Sequence, residues 1–247
     1  MHLKRAVLLA LAATAMTAST SHAALFSEHV TGGVLDLTWV PGFSTPNTMN
    51  AAVLTPADPA YANPSGDHTV GVVINAAPDS GGIVLTAIDP GAVSDYTWEA
   101  DIFTGAGNTR RGLVVRADPS NQFQSCYQFV VQSGLLQFNF RKLVASTPTT
   151  LGSWFSNSFP GGTPQANTWH HMKVIALGNT FRCFWDGYEL TTSPIVDSDI
   201  ASGWAGVYNF RFDLGGVPVY FDDIELTPTG GTPVTVTSWG HVKASYR

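Results

Sequence analysis

The chain has 247 residues, 12 of them basic and 18 acidic, for a net charge of −6 at neutral pH. With no basic cluster, that balance argues against nucleic acid and anionic membrane surfaces as partners. Charged residues make up 12% of the chain, about half the usual share, so Thr, Ser, Asn and Gln must cover much of the surface.

The first element is a leader. "MHLKR" supplies positive charge, "AVLLALAATAMTA" an apolar stretch, and "SHA" a small-x-small cleavage site before Ala24, which reads as a secretory signal peptide over residues 1–23. Its removal takes Lys4 and Arg5 and no acid, leaving 10 basic residues against 18 acidic, or −8. The mature chain is expected to be secreted, extracellular or periplasmic. No later segment approaches about 18 consecutive apolar residues, so membrane insertion is not expected.

From residue 24 to 228 no helical periodicity recurs. Short alternating runs separated by turn signals recur instead, and they define one all-β domain. Strands are expected over 34–39, 69–75, 82–88, 95–103, 204–212 and 217–226, with long loops in the Pro-, Asn- and Gly-rich segment 41–66. The clearest series lies between. In "RRGLVVRADPSNQFQSCYQFVVQSGLLQFNFRKL", Asp118–Asn121 is a turn and Ser133-Gly134 a two-residue hairpin loop. In "WHHMKVIALGNTFRCFWDGYEL", Gly178-Asn179 and Asp186-Gly187 repeat the device, and strands so closely joined run antiparallel. About a dozen strands without helices predict two packed sheets. Beyond 228, "TPTGGTP" reads as a linker, and "SWGHVKASYR" places Trp239, Val242 and Tyr246 on one helical face.

Side-chain parity gives the candidate site. With Ser133-Gly134 as the loop, pairing residues sum to 267, so Gln128 faces Asn139 and Cys126 faces Arg141. These share a polar side with Gln124 and Gln137. Phe123, Tyr127, Phe129, Phe138 and Phe140 take the other side and form core. Planar amides and guanidinium forks match sugar hydroxyls and carboxylates. Arg116, Asn209 and Arg211 are expected to extend the patch, and Tyr208 or Trp185 to offer a stacking surface. The Gly178-Asn179 loop sets Cys183 opposite Val174 on an apolar face, which argues against a Cys126–Cys183 disulfide.

Other constellations carry less. Adjacent strand residues point to opposite faces, so His170 and His171 cannot chelate one ion. No Gly-x-Ser-x-Gly elbow is present, and Gly105-Ala106-Gly107 precedes no helix.

The runs "YTWEADI", "RGLVVRADPSNQF", "LLQFNFRK", "WHHMKVIALGNTFRCFWDG", "SGWAGVY" and "VYFDDIEL" resemble the concanavalin A-like lectin/glucanase superfamily, nearest its laminin-G-like and keto-disaccharide-hydrolase-like branches. The resemblance covers residues 24–228 and implies a two-sheet antiparallel jelly-roll sandwich whose concave face holds sugar chains in many members. Retaining glucanases of the superfamily carry three spaced acids on one strand. Here Glu99 and Asp101 begin such a motif, but Phe103 and Thr104 stand where the third acid belongs. Asp223 and Glu225 share a strand face as a conceivable dyad. The resemblance further implies Asp222 as a candidate ligand of a structural calcium, with backbone carbonyls around Glu28 completing the shell.

The reading expected is a secreted, non-catalytic module that binds carbohydrate or another extracellular ligand. Its polar readers are Arg116, Gln128, Asn139, Arg141 and Arg211, with Tyr208 beside them. A glycoside hydrolase and a structural or adhesive surface protein are the alternatives.

Overall fold

The computed structural model describes residues 24, 26–30, 34–45, 49–54, 69–74, 80–86, 94–103, 109–132, 137–155, 157, 159–162, 165, 167–212 and 219–229. The leader and the tail beyond Thr229 lie outside them.

The described strands form two antiparallel sheets. Across the first run β13 (Tyr188–Glu189), β12 (Thr180–Trp185), β11 (Trp169–Leu177), β6 (Tyr96–Phe103), β16 (Val219–Pro228), β4 (Thr69–Ile74) and β3 (Met49–Leu54). Beside β16 lies β1 (Phe26–Glu28), and beside β12 lies β14 (Ile195–Val196). The second sheet runs β10 (Thr147–Phe155), β9 (Gln137–Val144), β8 (Cys126–Gln132), β7 (Thr109–Ala117), β15 (Trp204–Arg211), β5 (Ser80–Thr86) and β2 (Trp39–Thr45).

The sheets pack because each strand sends alternate residues inward. In β6, Tyr96, Trp98, Ala100 and Ile102 are fully buried while Thr97, Glu99 and Asp101 are only half-buried. They meet Leu113, Tyr127, Phe129, Phe138 and Phe140 of the second sheet in one cluster. Trp98 ties the layers together, its indole N–H donating to the Gly206 carbonyl at 2.8 Å. That bond gives a buried polar atom its partner where an unpaired one would cost about 1–3 kcal/mol.

The expected strands at 69–75, 82–88, 95–103, 204–212 and 217–226 correspond to β4, β5, β6, β15 and β16 within a few residues. Three readings change. Segment 41–66 is not all loop: β2 and β3 fall within or across it. Pro41 sits in β2 without breaking a central ladder because β2 is the last strand of its sheet, where a missing N–H is tolerated. Residues 34–38 are not strand, because the Asp36 and Leu37 N–H groups donate to the Glu28 carboxylate at 2.9 and 3.0 Å. Finally, β8 and β9 pair from Gln132–Gln137 to Cys126–Leu143. Four residues, 133–136, therefore join them, and paired numbers sum to 269. Gln128 faces Arg141 and Cys126 faces Leu143. The slip is by two residues, an even number, so every side chain keeps its face.

Candidate functional site

The outer side of the second sheet is laid out by its ladders. Ile83, Tyr208, Gly112, Val130 and Asn139 form one row across five strands, and Leu85, Gly206, Val114, Gln128 and Arg141 form the next. The alternate residues of these strands, among them Leu113, Phe129, Phe140 and Val207, fill the core. The outer rows also carry apolar residues. Ile83, Leu85, Val114, Cys126, Val130, Leu143 and Tyr208 make a second cluster, with Phe123, Trp204 and Phe210 packed against it. Phe123 thus leaves the inner core assigned to it. It lies in the turn before β8 with a positive φ of 61°, where strand alternation does not apply.

Beside this cluster opens a groove of about 240 Å³, whose walls include Arg110, Gln128, Arg141, Pro148, Tyr208 and Phe210. Gly81 helps floor it, and a Cβ there would stand 2.6 Å from both the Phe210 ring and the Asn209 carbonyl oxygen. Arg141 Nε donates to Gln128 Oε1 at 2.8 Å, and its guanidinium lies 4.9 Å from the centre of the Tyr208 ring. Both contacts orient the fork without neutralising it. Arg110 donates to Gln132 Oε1 at 3.2 Å and lies over the Phe212 ring. Its pKa is lowered, first by burial and then by the Arg141 charge. No Asp or Glu is among the described residues lining the groove.

The structure thus brings Gln128, Arg141 and Tyr208 together, with Asn139 on the same face one row away. Tyr208 is only 6% exposed and is capped by Arg141, so it supports the guanidinium and is not an open stacking surface. Trp185, the other candidate for stacking, is in the core against His170, ring centres 4.7 Å apart.

Arg116 and Arg211 are not in the groove. Trp204 pairs with Ala117 and Gly206 with Val114, so two residues, Val115 and Arg116, oppose Ala205 alone. This bulge, with Arg116 at φ 53°, resets the alternation and turns Arg116 away from the outer face. Its guanidinium is 1% exposed and donates to the carbonyls of Ile200, Ser94 and Gly178 at 3.2, 2.9 and 2.8 Å, over the Phe181 ring. Arg211 and Asn209 are buried and share the parity of core Val207, opposite to Tyr208. Arg110, in contrast, has outer parity and was not singled out from sequence. Its available signal was the alternation Arg110, Gly112, Val114 along β7.

The acids lie elsewhere. Glu99 and Asp101 face outward from the first sheet and both bind His171, whose Nδ1 is 2.7 Å from Asp101 and Nε2 3.0 Å from Glu99. Hydrogen bonds to Asp101 and then Glu99 raise the His171 pKa to about 9. Lys173 adds a 2.8 Å contact to Glu99. His170 turns the other way, to Asp186 at 2.6 Å, as strand parity requires. Asp223, half of the conceivable dyad, contacts His29 at 3.0 Å, while Glu225 accepts from Thr227.

Asp222 is 1% exposed and accepts the Asp223 N–H at 2.9 Å. Glu28 pairs with Ile224 in the β1–β16 ladder. Its buried carboxylate accepts N–H groups from Val30, Asp36 and Leu37 and from the Trp39 indole. Glu28 therefore organises the N-terminal segment as an acceptor of hydrogen bonds. Among the described residues no group of three or more His, Cys, Asp or Glu is placed around a common point. The two cysteines are free, Cys126 under the outer cluster and Cys183 in the core.

In fold the chain is a two-sheet antiparallel β-sandwich of jelly-roll type. No protein-family model matches it. Among solved structures it is similar to the carbohydrate-binding module CBM66 from Bacillus subtilis, with 16% identity, a TM-score of 0.54, and 78% of this chain and 97% of that one covered. It is also similar to Bacillus licheniformis β-glucanase, with 12% identity, a TM-score of 0.53, and coverage of 83% and 98%. At such identities the likeness is one of fold. A levanase from Bacillus sp. (strain L7) is 36% identical over 64 residues, which span 26% of this chain and 6% of the levanase.

Proposed function

We propose that this chain, exported on the leader in residues 1–23, binds carbohydrate in the groove on the outer face of its second sheet and does not cleave it. The observation that carries the reading is the Arg141 guanidinium, held between Gln128 and Tyr208 in a groove whose described lining residues include no acid. Such a fork is oriented before a ligand arrives, which lowers the ordering cost of binding. Standard glycosidic cleavage needs two carboxyl groups flanking the scissile bond, and the described residues of the groove lining supply none. Glu99 and Asp101 are engaged by His171 on the other sheet. The likeness to a carbohydrate-binding module supports the ligand class, while the likeness to a β-glucanase keeps cleavage as the outcome to be tested against.

Glycan-array screening followed by calorimetry on wild type and Arg141→Ala tests this. Wild type is expected to bind at least one oligosaccharide, and the variant to bind it about tenfold or more weakly, the cost of losing an oriented charged donor. The bound oligosaccharide should be recovered intact after prolonged incubation. Absence of binding to every glycan, or release of shorter products, would overturn the proposal.

A further inference from the structure

The groove joins two positively charged side chains in a chain with more acidic than basic residues. Arg110 stands on β7 and Arg141 on β9, separated by β8 and offset by two outward-facing rows, Arg110 pairing with Gln132 and Arg141 with Gln128. Strands lie about 4.8 Å apart and residues about 3.4 Å along them, so the two stems start well apart, but both side chains line the one groove, where a single ligand can meet both guanidinium groups. Their partners are neutral: two amide oxygens, from Gln128 and Gln132, and the rings of Tyr208 and Phe212. Among the described residues neither guanidinium meets a carboxylate. Other cations among the described residues meet carboxylates: Lys142 with Asp197 and Asp199, Arg182 with Glu189, and Lys173 with Glu99. Among the described residues these two cations meet in the groove without an anion, and Arg110 Nε is buried with no hydrogen-bond partner. Like charges held together in a partly enclosed site repel, and the cost falls when an anion enters.

Resting on the carbohydrate-binding reading above, we infer that the groove selects a carbohydrate bearing a carboxylate, which bridges Arg110 and Arg141 while the sugar ring lies along Phe210 and Pro148. A planar carboxylate accepts parallel N–H donors from a guanidinium fork, a geometry that a neutral hydroxyl does not reproduce.

Calorimetry compares a galacturonic acid trisaccharide, its fully methyl-esterified form, a neutral oligosaccharide and sodium acetate on the same folded protein. The acid is expected to bind about tenfold or more tightly than the ester, as charge-assisted bonds imply. That advantage should shrink from about 0.01 M to about 1 M salt, as the screening length falls from roughly 30 to 3 Å. It should vanish in Arg110→Gln combined with Arg141→Gln, with the thermal midpoint confirming the variant's fold. Equal binding of acid, ester and neutral sugar would overturn this inference and leave carbohydrate binding standing. Acetate binding as tightly as the trisaccharide would show that the sugar is not read and would also overturn it. If no saccharide binds, acidic or neutral, the parent reading falls first. The ester comparison uses wild type alone and so decides the matter even if the double variant does not fold.

Discussion

Replacing Arg116 with Met separates a structural arginine from a ligand-reading one. The guanidinium donates to three main-chain carbonyls, Ile200, Ser94 and Gly178, and is 1% exposed. Bonds to a charged group contribute roughly 1.5–3 kcal/mol each, so three give a gross loss of about 5–9 kcal/mol. Methionine retains much of the packing over Phe181, and the guanidinium's own burial cost disappears. Both offset the loss, leaving about 3–5 kcal/mol, the range seen when one partner of a buried charged pair is removed. In a domain of this size each kcal/mol moves the thermal midpoint by about 2–4 °C, so Arg116→Met should melt roughly 6–20 °C lower. Urea unfolding monitored by tryptophan fluorescence measures the free energy directly. Glycan affinity of the folded fraction should be unchanged, because Arg116 lies outside the groove. A stability change below about 1 kcal/mol together with lost glycan binding would refute this reasoning and restore Arg116 as a reader.

Two further outcomes follow from the geometry. His171 has a folded pKa of about 9, raised from 6.5 by hydrogen bonds to Asp101 and Glu99. A raised folded value means that its stabilisation is complete below about pH 6.5 and fades as pH climbs through about 9. Urea midpoints between pH 6 and 10 should decline in wild type and stay flatter in His171→Gln, and parallel curves would count against the pairing. Ala145 and Ser146 form the two-residue β9–β10 turn with φ of 47° and 68°, a conformation costing L-residues roughly 1–2 kcal/mol each. Changing them to Asn-Gly should raise the thermal midpoint by roughly 2–8 °C, and a lower midpoint would show that Ser146 contributes more through its side chain than the turn costs.

These positions also show what could be read in advance. The turns at Gly178-Asn179 and Asp186-Gly187 carry residues that accept unusual backbone angles, and the ladder through Val174–Cys183 has the expected register. At Ala145-Ser146 no such residue marks the same kind of turn, so β10 went unread. The Ser133-Gly134 signal located a real hairpin but misjudged its length by two residues. Face assignments survived only because the error was even. Arg116 was misplaced because a bulge is one extra residue, an odd shift, and no residue type in "LVVRADP" announces it. Arg211 was misplaced more simply, since its parity differs from that of Tyr208 and the two could never share a face.

Four arginines of the second sheet, Arg110, Arg116, Arg141 and Arg211, therefore divide by position. Arg116 and Arg211 lie buried, and Arg116 has its charge spread over carbonyls that only the folded loops can supply. Removing it leaves those carbonyls without donors, a cost borne by folding. Arg110 and Arg141 face outward, where amide oxygens and aromatic rings fix their direction but leave their charge uncancelled. Removing either takes away a donor that the fold does not consume, and relieves repulsion between them. Substitution at the inner pair should therefore appear chiefly in stability, and at the outer pair chiefly in affinity. Changes confined to Arg110 and Arg141 should therefore leave the core between the sheets undisturbed, because parity keeps the two sets of side chains on opposite sides of one sheet.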